Sequence, residues 1–237
     1  MAVDGVVLVH GGYHGAWCWD AVRPRLSVPA VAVDLPGRGA RPAGGRRIRV
    51  ADCVEAVLED AGAAGFDRFV LVGHSMGGMT ITETANRAPD RIARLVYVAA
   101  LVLAPGQTVF GLFLGDAAPA VEDPTAAQPL PDEETARRMF AGDLPPDVFR
   151  DHYRRLVPEP VGLFVDTVSG YGSGVPATYV RCARDATVDA ARVDAMVGHL
   201  DPEEIVELDA DHDVMLSRPD LLVPVIERAV ERAGSPA

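Results

Sequence analysis

Along the chain, short runs that are apolar at nearly every position alternate with longer stretches in which apolar residues recur every three or four. The short runs are GVVLVH (5–10), AVAVDL (30–35), RFVLVGH (68–74), ARLVYVAAL (93–101), ATYVRCAR (177–184) and EIVELDA (204–210). A strand covered on one face alternates polar with apolar residues. Runs this short and this rich in Val and Leu predict strands buried on both faces, as in a parallel sheet. The periodic stretches predict helices over 15–26, 49–63, 76–88, 188–199 and 218–233, the last with Ser217 as N-cap and Pro219 in its first turn. Strands and helices that alternate in this way define an α/β fold, with a mostly parallel, doubly wound sheet flanked by helices.

The rhythm breaks once. Residues 105–175 lose the strand pattern and carry Pro, Ala and acidic clusters, with helical pieces around EETARRMFAG and PPDVFRDHYRRL. So long a non-sheet segment between two strands reads as an inserted helical cap on a core made of 1–104 and 176–237. Within it, 116–134 reads as a mobile loop. Phe110, Phe113, Met139, Phe140, Phe149 and Phe164 are candidates to face a pocket, with packing inside the cap expected for most of them.

Composition narrows the partners. The chain of 237 residues is 49% hydrophobic and 24% charged, enough for a large core. Its net charge is -12, and all 22 basic residues are Arg. That balance offers no footprint for nucleic acid or an anionic membrane, and the lack of Lys removes Schiff-base chemistry. No apolar run approaches the ~20 residues of a membrane helix and no signal-peptide pattern fits, so a cytoplasmic location is expected. Cys18, Cys53 and Cys182 are scattered without metal-ligand spacing, which predicts buried, reduced thiols and no metal.

Chemistry concentrates in Gly73-His74-Ser75-Met76-Gly77, a G-x-S-x-G pentapeptide directly after a buried run and before a helix-forming one. There the glycines are expected to permit a tight strand-to-helix turn that lifts the Ser75 hydroxyl out at the sheet's C-terminal edge. A serine is a poor nucleophile until a base takes its proton, and the base needs an orienting acid. Of six histidines, only His212, in ELDADHDVMLSRP, follows a strand on a loop before the final helix, where a base can reach back over that edge. His10, His74, His152 and His199 are set aside by position. For the acid, Asp185 lies just beyond a strand on the same edge. Asp189 is its main competitor, and Asp209 and Asp211 sit too close along the chain to His212. The order Ser75, Asp185, His212 distinguishes this arrangement from the two other well-known serine-triad folds. For the developing oxyanion, Met76 offers a backbone N–H and the glycines of VHGGYHGAW offer another, with Gly12 the leading donor. Tyr13, Phe110, Phe113 and Met139 are the candidate substrate contacts.

VHGGYHGAWCW, VDLPGRG, GHSMGG and DADHDVMLSRP together resemble the α/β-hydrolase superfamily, in the branch that holds plant methyl esterases, hydroxynitrile lyases and many bacterial ester hydrolases. The resemblance spans essentially the whole chain and implies Ser75 as nucleophile, His212 as base, Asp185 as acid, and Gly12 with Met76 as oxyanion hole. The lyases of that branch carry Thr after the first motif's His and Lys after the catalytic His. Here those positions are Gly11 and Asp213, so that lyase activity is not expected. Ser in place of Asp at the elbow also argues against dehalogenase and epoxide hydrolase chemistry. His14 matches a His of the branch and is read as packing or hydrogen bonding near the pocket entrance. The expectation is therefore a cofactor-independent hydrolase of small-molecule carboxylic esters, a monomer or homodimer, acting through an acyl-serine. The alternative is a non-hydrolytic elimination, cyclisation or lyase reaction in natural-product biosynthesis using the same triad. The all-Arg, Ala-rich composition suits a GC-rich bacterial genome.

Overall fold

The structure is a computed structural model that describes residues 2–234. Its centre is a six-stranded, wholly parallel sheet made of β1 (Gly5–Val9), β2 (Ala30–Val33), β3 (Phe69–His74), β4 (Ile92–Val98), β7 (Ala177–Cys182) and β8 (Glu204–Leu208), in the order β2-β1-β3-β4-β7-β8. A short antiparallel ribbon, β5 (Ala127–Gln128) with β6 (Glu159–Pro160), stands apart from it.

The unbroken apolar runs have a simple cause. Successive side chains in a strand point to opposite faces, and both faces are covered. Val7, Val9, Leu71, Leu95 and Tyr97 pack into one core with residues of α1 (Val50–Ala63), α2 (Gly77–Arg87) and α7 (Ala190–Leu200). Val6, Leu8, Val70, Val72, Val96 and Val98 pack into the other, against α9 (Pro219–Gly234). Only β8, at the sheet edge, shows alternating burial, with Ile205 exposed.

Between β4 and β7 the chain forms α3 (Val109–Leu114), α4 (Glu133–Phe140), α5 (Pro146–Tyr153) and α6 (Gly162–Val165), together with the β5–β6 ribbon. Ala136, Phe140, Ala141, Phe149 and Leu156 give this region a small core of its own. The stretch 116–134 is not all loop, because it contributes β5 and the first residues of α4.

Two other expectations fail for local reasons. Residues 15–26 do not form one helix but two 3₁₀ turns, Ala16–Trp19 and Arg23–Arg25. Pro24 in the second turn has no N–H to continue a helical ladder, and the first turn is held from outside, where Asp34 Oδ1 accepts from the Ala16 N–H at 2.8 Å. Ser217 does not cap the last helix. It ends a separate four-residue helix, α8 (Val214–Ser217), and its buried hydroxyl has no hydrogen-bond partner among the described residues.

Candidate active site

The chain reverses its winding direction between β1 and β3, which are neighbours in the sheet, and the loops after both strands meet at their C-terminal ends. In open α/β sheets a crevice forms at such a point. Ser75 sits there, between β3 and α2, with φ at +49°. That left-handed backbone costs a non-glycine residue on the order of 1–3 kcal/mol and persists only where its surroundings over-determine it. Here they do. The Ser75 N–H donates to the Val98 carbonyl at 3.1 Å, and the Ser75 carbonyl accepts from Gly78 and from Leu101, each at 2.9 Å.

None of Gly73, Gly77 and Gly78 has positive φ. They provide clearance. A Cβ on Gly77 would lie 2.6 Å from the His10 carbonyl oxygen, and one on Gly78 only 2.3 Å from that of Leu101.

His212 and Asp185 come from the loops after β8 and β7. Asp185 Oδ2 lies 2.8 Å from His212 Nδ1, and Asp185 Oδ1 accepts from the backbone N–H groups of Thr187 (2.7 Å) and Val188 (3.1 Å). A carboxylate facing Nδ1 places the proton there and leaves Nε2 with its lone pair. Nε2 is buried and has no hydrogen-bond partner among the described residues. Burial pulls the His212 pKa down, but the charge and hydrogen bond of Asp185, joined by the charge of Asp213, outweigh it and hold the pKa above the usual 6.5. Burial raises that of Asp185, and the contacts to His212 and to the two amides more than offset this and leave it below the usual carboxylate value.

The rejected acids have other partners. Asp189 caps α7, accepting from the Arg192 N–H at 3.0 Å, and pairs with the Arg192 side chain. Asp209 and Asp211 both pair with Arg184. His74 packs its ring against His212, centroids 4.7 Å apart, and its Nε2 lies 3.1 Å from the His212 carbonyl oxygen. Burial, with the neighbouring His212, brings the His74 pKa down to about 3.

Ser75, Gly12, Met76 and Tyr13 border one cavity of about 320 Å³. A Cβ on Gly12 would lie 3.6 Å from Met76 Cε, so the Met76 side chain occupies the space beside Gly12. The other walls are Leu101, Val109, Phe110, Phe113, Leu114, Met139, Phe140, Phe164 and Val188, with Gln128 and Thr187 as the only further polar side chains and no charged one. Five of the six aromatic and Met candidates line the cavity, Phe140 while also packing with Phe149 in the small core of this region.

Sequence reasoning missed what holds the Gly12 loop. Glu159, fully buried on β6, accepts from the Tyr13 N–H and pairs with the guanidinium of Arg38, whose Nε donates to the His14 carbonyl at 2.9 Å. The Val157 N–H donates to the Tyr13 carbonyl at 2.9 Å, which supports Tyr13 in its left-handed conformation, φ +65°. The one available signal was an acidic residue alone among apolar and Pro residues, in VPEPVGLF.

This fold and site define a class. Residues 6–225 match the alpha/beta hydrolase family, and the chain belongs to it. Among curated proteins it is similar to pheophorbidase of Raphanus sativus, 29% identical over 94% of this chain and 93% of that one, and to norfluorocurarine synthase 1 of Strychnos nux-vomica, 28% identical over 95% of each. Among solved structures it resembles the methylesterase MES16 from Arabidopsis, with TM-score 0.80 and 26% identity over 96% of this chain and 98% of that one.

Proposed function

We propose that this chain hydrolyses neutral, largely apolar carboxylic esters through an acyl-serine intermediate. Ser75 is the nucleophile, His212 the general base and then acid, Asp185 the group that fixes the His212 tautomer, and the Gly12 and Met76 N–H groups the oxyanion donors. One observation carries the reading: His212 is clamped at Nδ1 by a buried carboxylate while Nε2 is left without a partner among the described residues, and Ser75 is held in a strained elbow that borders the cavity. Likeness to a methylesterase supports the ester as substrate.

In the proposed reaction the Ser75 oxygen attacks the ester carbonyl carbon as its proton passes to His212 Nε2. The resulting oxyanion is stabilised by the two amides. Its collapse breaks the C–O bond, and His212 returns the proton to the departing alkoxide. Water then attacks the acyl-serine with His212 again as base, releasing the acid. Residues 105–175 act as a cap that encloses the substrate, since α3, α4 and α6 supply most of the cavity's apolar wall.

A second reading has the likeness to norfluorocurarine synthase 1 in its favour: a reaction without water in which Ser75 and His212 shuttle protons. One experiment separates the two. Rapid quenching with a p-nitrophenyl ester should trap an acyl group on Ser75 by mass spectrometry, and Ser75→Ala should lose all but a few per cent of turnover with its circular dichroism unchanged. A folded wild type that neither turns over the ester nor forms an acyl-enzyme would favour the shuttle, and a Ser75→Ala variant that keeps ester turnover would overturn the acyl-serine reading.

A further inference from the structure

Gly12 is followed two residues later by a histidine whose ring folds back onto it. His14 Nδ1 lies 2.8 Å from the Gly12 carbonyl oxygen, and its Nε2 lies 2.9 Å from Oδ2 of Asp213. Both side chains are enclosed, His14 at 2% and Asp213 at 0% exposure. A carbonyl oxygen and a carboxylate can only accept, so both contacts are hydrogen bonds only when both ring nitrogens carry hydrogen. The neighbouring histidines have no such requirement. His10 donates from Nδ1 to the Gly11 carbonyl and accepts at Nε2 from the Leu35 N–H. His74 donates from Nε2 to the His212 carbonyl, and its Nδ1 has no partner among the described residues.

Asp213 connects three parts of the site. It follows His212 in the chain, its N–H donates at 2.7 Å to the carbonyl of the cavity-lining Phe140, and its carboxylate reaches the Gly12 loop through His14. The peptide after Gly12 is then pinned at both ends, by His14 at the C=O and by Glu159 at the N–H. The Gly12 N–H lies on the preceding peptide, and glycine has the widest backbone freedom of any residue, so fixing the following peptide narrows the directions in which that N–H can point.

We infer that His14 and Asp213 form a buried imidazolium–carboxylate pair that positions the Gly12 oxyanion donor relative to His212. The inference rests on the roles proposed above for Gly12 and His212. Both members are positioning residues. The other charged or titratable side chains around them are Arg38, bonded to the His14 carbonyl, Glu159 on the Tyr13 N–H, His10 and His152 near the His14 ring, and His74, His212, Cys18 and Cys182 on the Asp213 side.

The test uses ¹⁵N-histidine NMR and the rate at which a fluorophosphonate labels Ser75, in wild type, His14→Gln, Asp213→Asn and the double variant. One histidine of the wild type should carry protons on both ring nitrogens under the conditions of the labelling assay. Its signal should vanish in His14→Gln and become that of a singly protonated ring in Asp213→Asn. Labelling should slow by roughly 10–100-fold in each single variant, less than the 10²–10³ of losing an oxyanion donor outright. The double variant should be no slower than the singles, and kcat for an ester should fall with KM nearly constant. A singly protonated His14 in wild type, additive losses, or an effect confined to KM would overturn the proposal. If Asp213→Asn fails to fold, His14→Gln alone decides by the same rate and kcat criteria. Failure of the wild type to label at Ser75 would sink the hydrolase reading instead, and the NMR arm would still judge the pair.

Discussion

Asp185 and Asp189 stand four positions apart, and their surroundings give them unrelated work. Asp185 is tied to His212 and two amides, whereas Asp189 caps a helix and pairs with Arg192 in the open. Asp185→Asn should therefore lower kcat by roughly 10³–10⁴-fold, as expected when the group fixing the histidine tautomer is neutralised, while Asp189→Asn changes it little. Stopped-flow ester hydrolysis by the two variants checks the ranking. The pH profile adds a second reading of the same contact. His212 must be neutral to act as base and its pKa is held above 6.5, so kcat/KM should rise with pH along a limb whose midpoint lies above that value. Removing the Asp185 charge removes the main upward influence and should move the limb to lower pH.

At the scale of elements, the six strands were legible because burial on both faces writes a continuous apolar run, and the long helices because one buried stripe writes a period of 3.6. The 3₁₀ turns of 16–25 were only partly legible, since Pro24 stands in the sequence but Asp34, which anchors the first turn, is brought in from after β2. Nor could sequence show that the elbow glycines serve clearance, because the obstructing carbonyls belong to His10 and Leu101. The same limit hid Glu159 and Arg38, which meet across 121 positions of chain. In α3, Phe113 is held by Arg192, which donates to the Leu112 and Phe113 carbonyls and stands 5.5 Å over the Phe113 ring. A wall so anchored should discriminate by shape. Phe113→Ala or Met139→Ala should shift relative kcat/KM between small and bulky esters by on the order of 10–200-fold, leaving the pH limb in place. A panel of p-nitrophenyl esters measures it, and unchanged ratios in both variants would reduce these residues to packing.

For the whole molecule, the buried histidines govern stability in acid. Burial and the nearby Arg38 pull His10 well below 6.5, and burial with His212 brings His74 to about 3, so both stay neutral when folded and take up protons on unfolding below pH 6.5. Protons bound preferentially by the unfolded chain make stability rise with pH, by about 1.4 kcal/mol per pH unit for each group. His212 acts oppositely. Its raised pKa contributes stability that is complete below 6.5 and is lost as pH rises through the folded value. Below 6.5 that contribution is constant, so His10 and His74 act unopposed by it and the urea midpoint should fall between pH 6.5 and 4.5, before Asp185 and Asp213 begin to protonate. A flat midpoint over that interval would mean that these histidines take up protons in the folded state.

The uncharged lining of the cavity bears on how a catalytic cycle ends. Ester cleavage turns a neutral guest into a carboxylate, and this enclosure offers no cation to keep it. An ion without a partner in an apolar enclosure is driven back to water, and the chain's charge of -12 adds to the push. Product inhibition by the acid should therefore require concentrations far above the KM of its ester, whereas the alcohol, still neutral, should be the stronger inhibitor. Progress curves run with each product added at the start would reveal which of the two slows the enzyme.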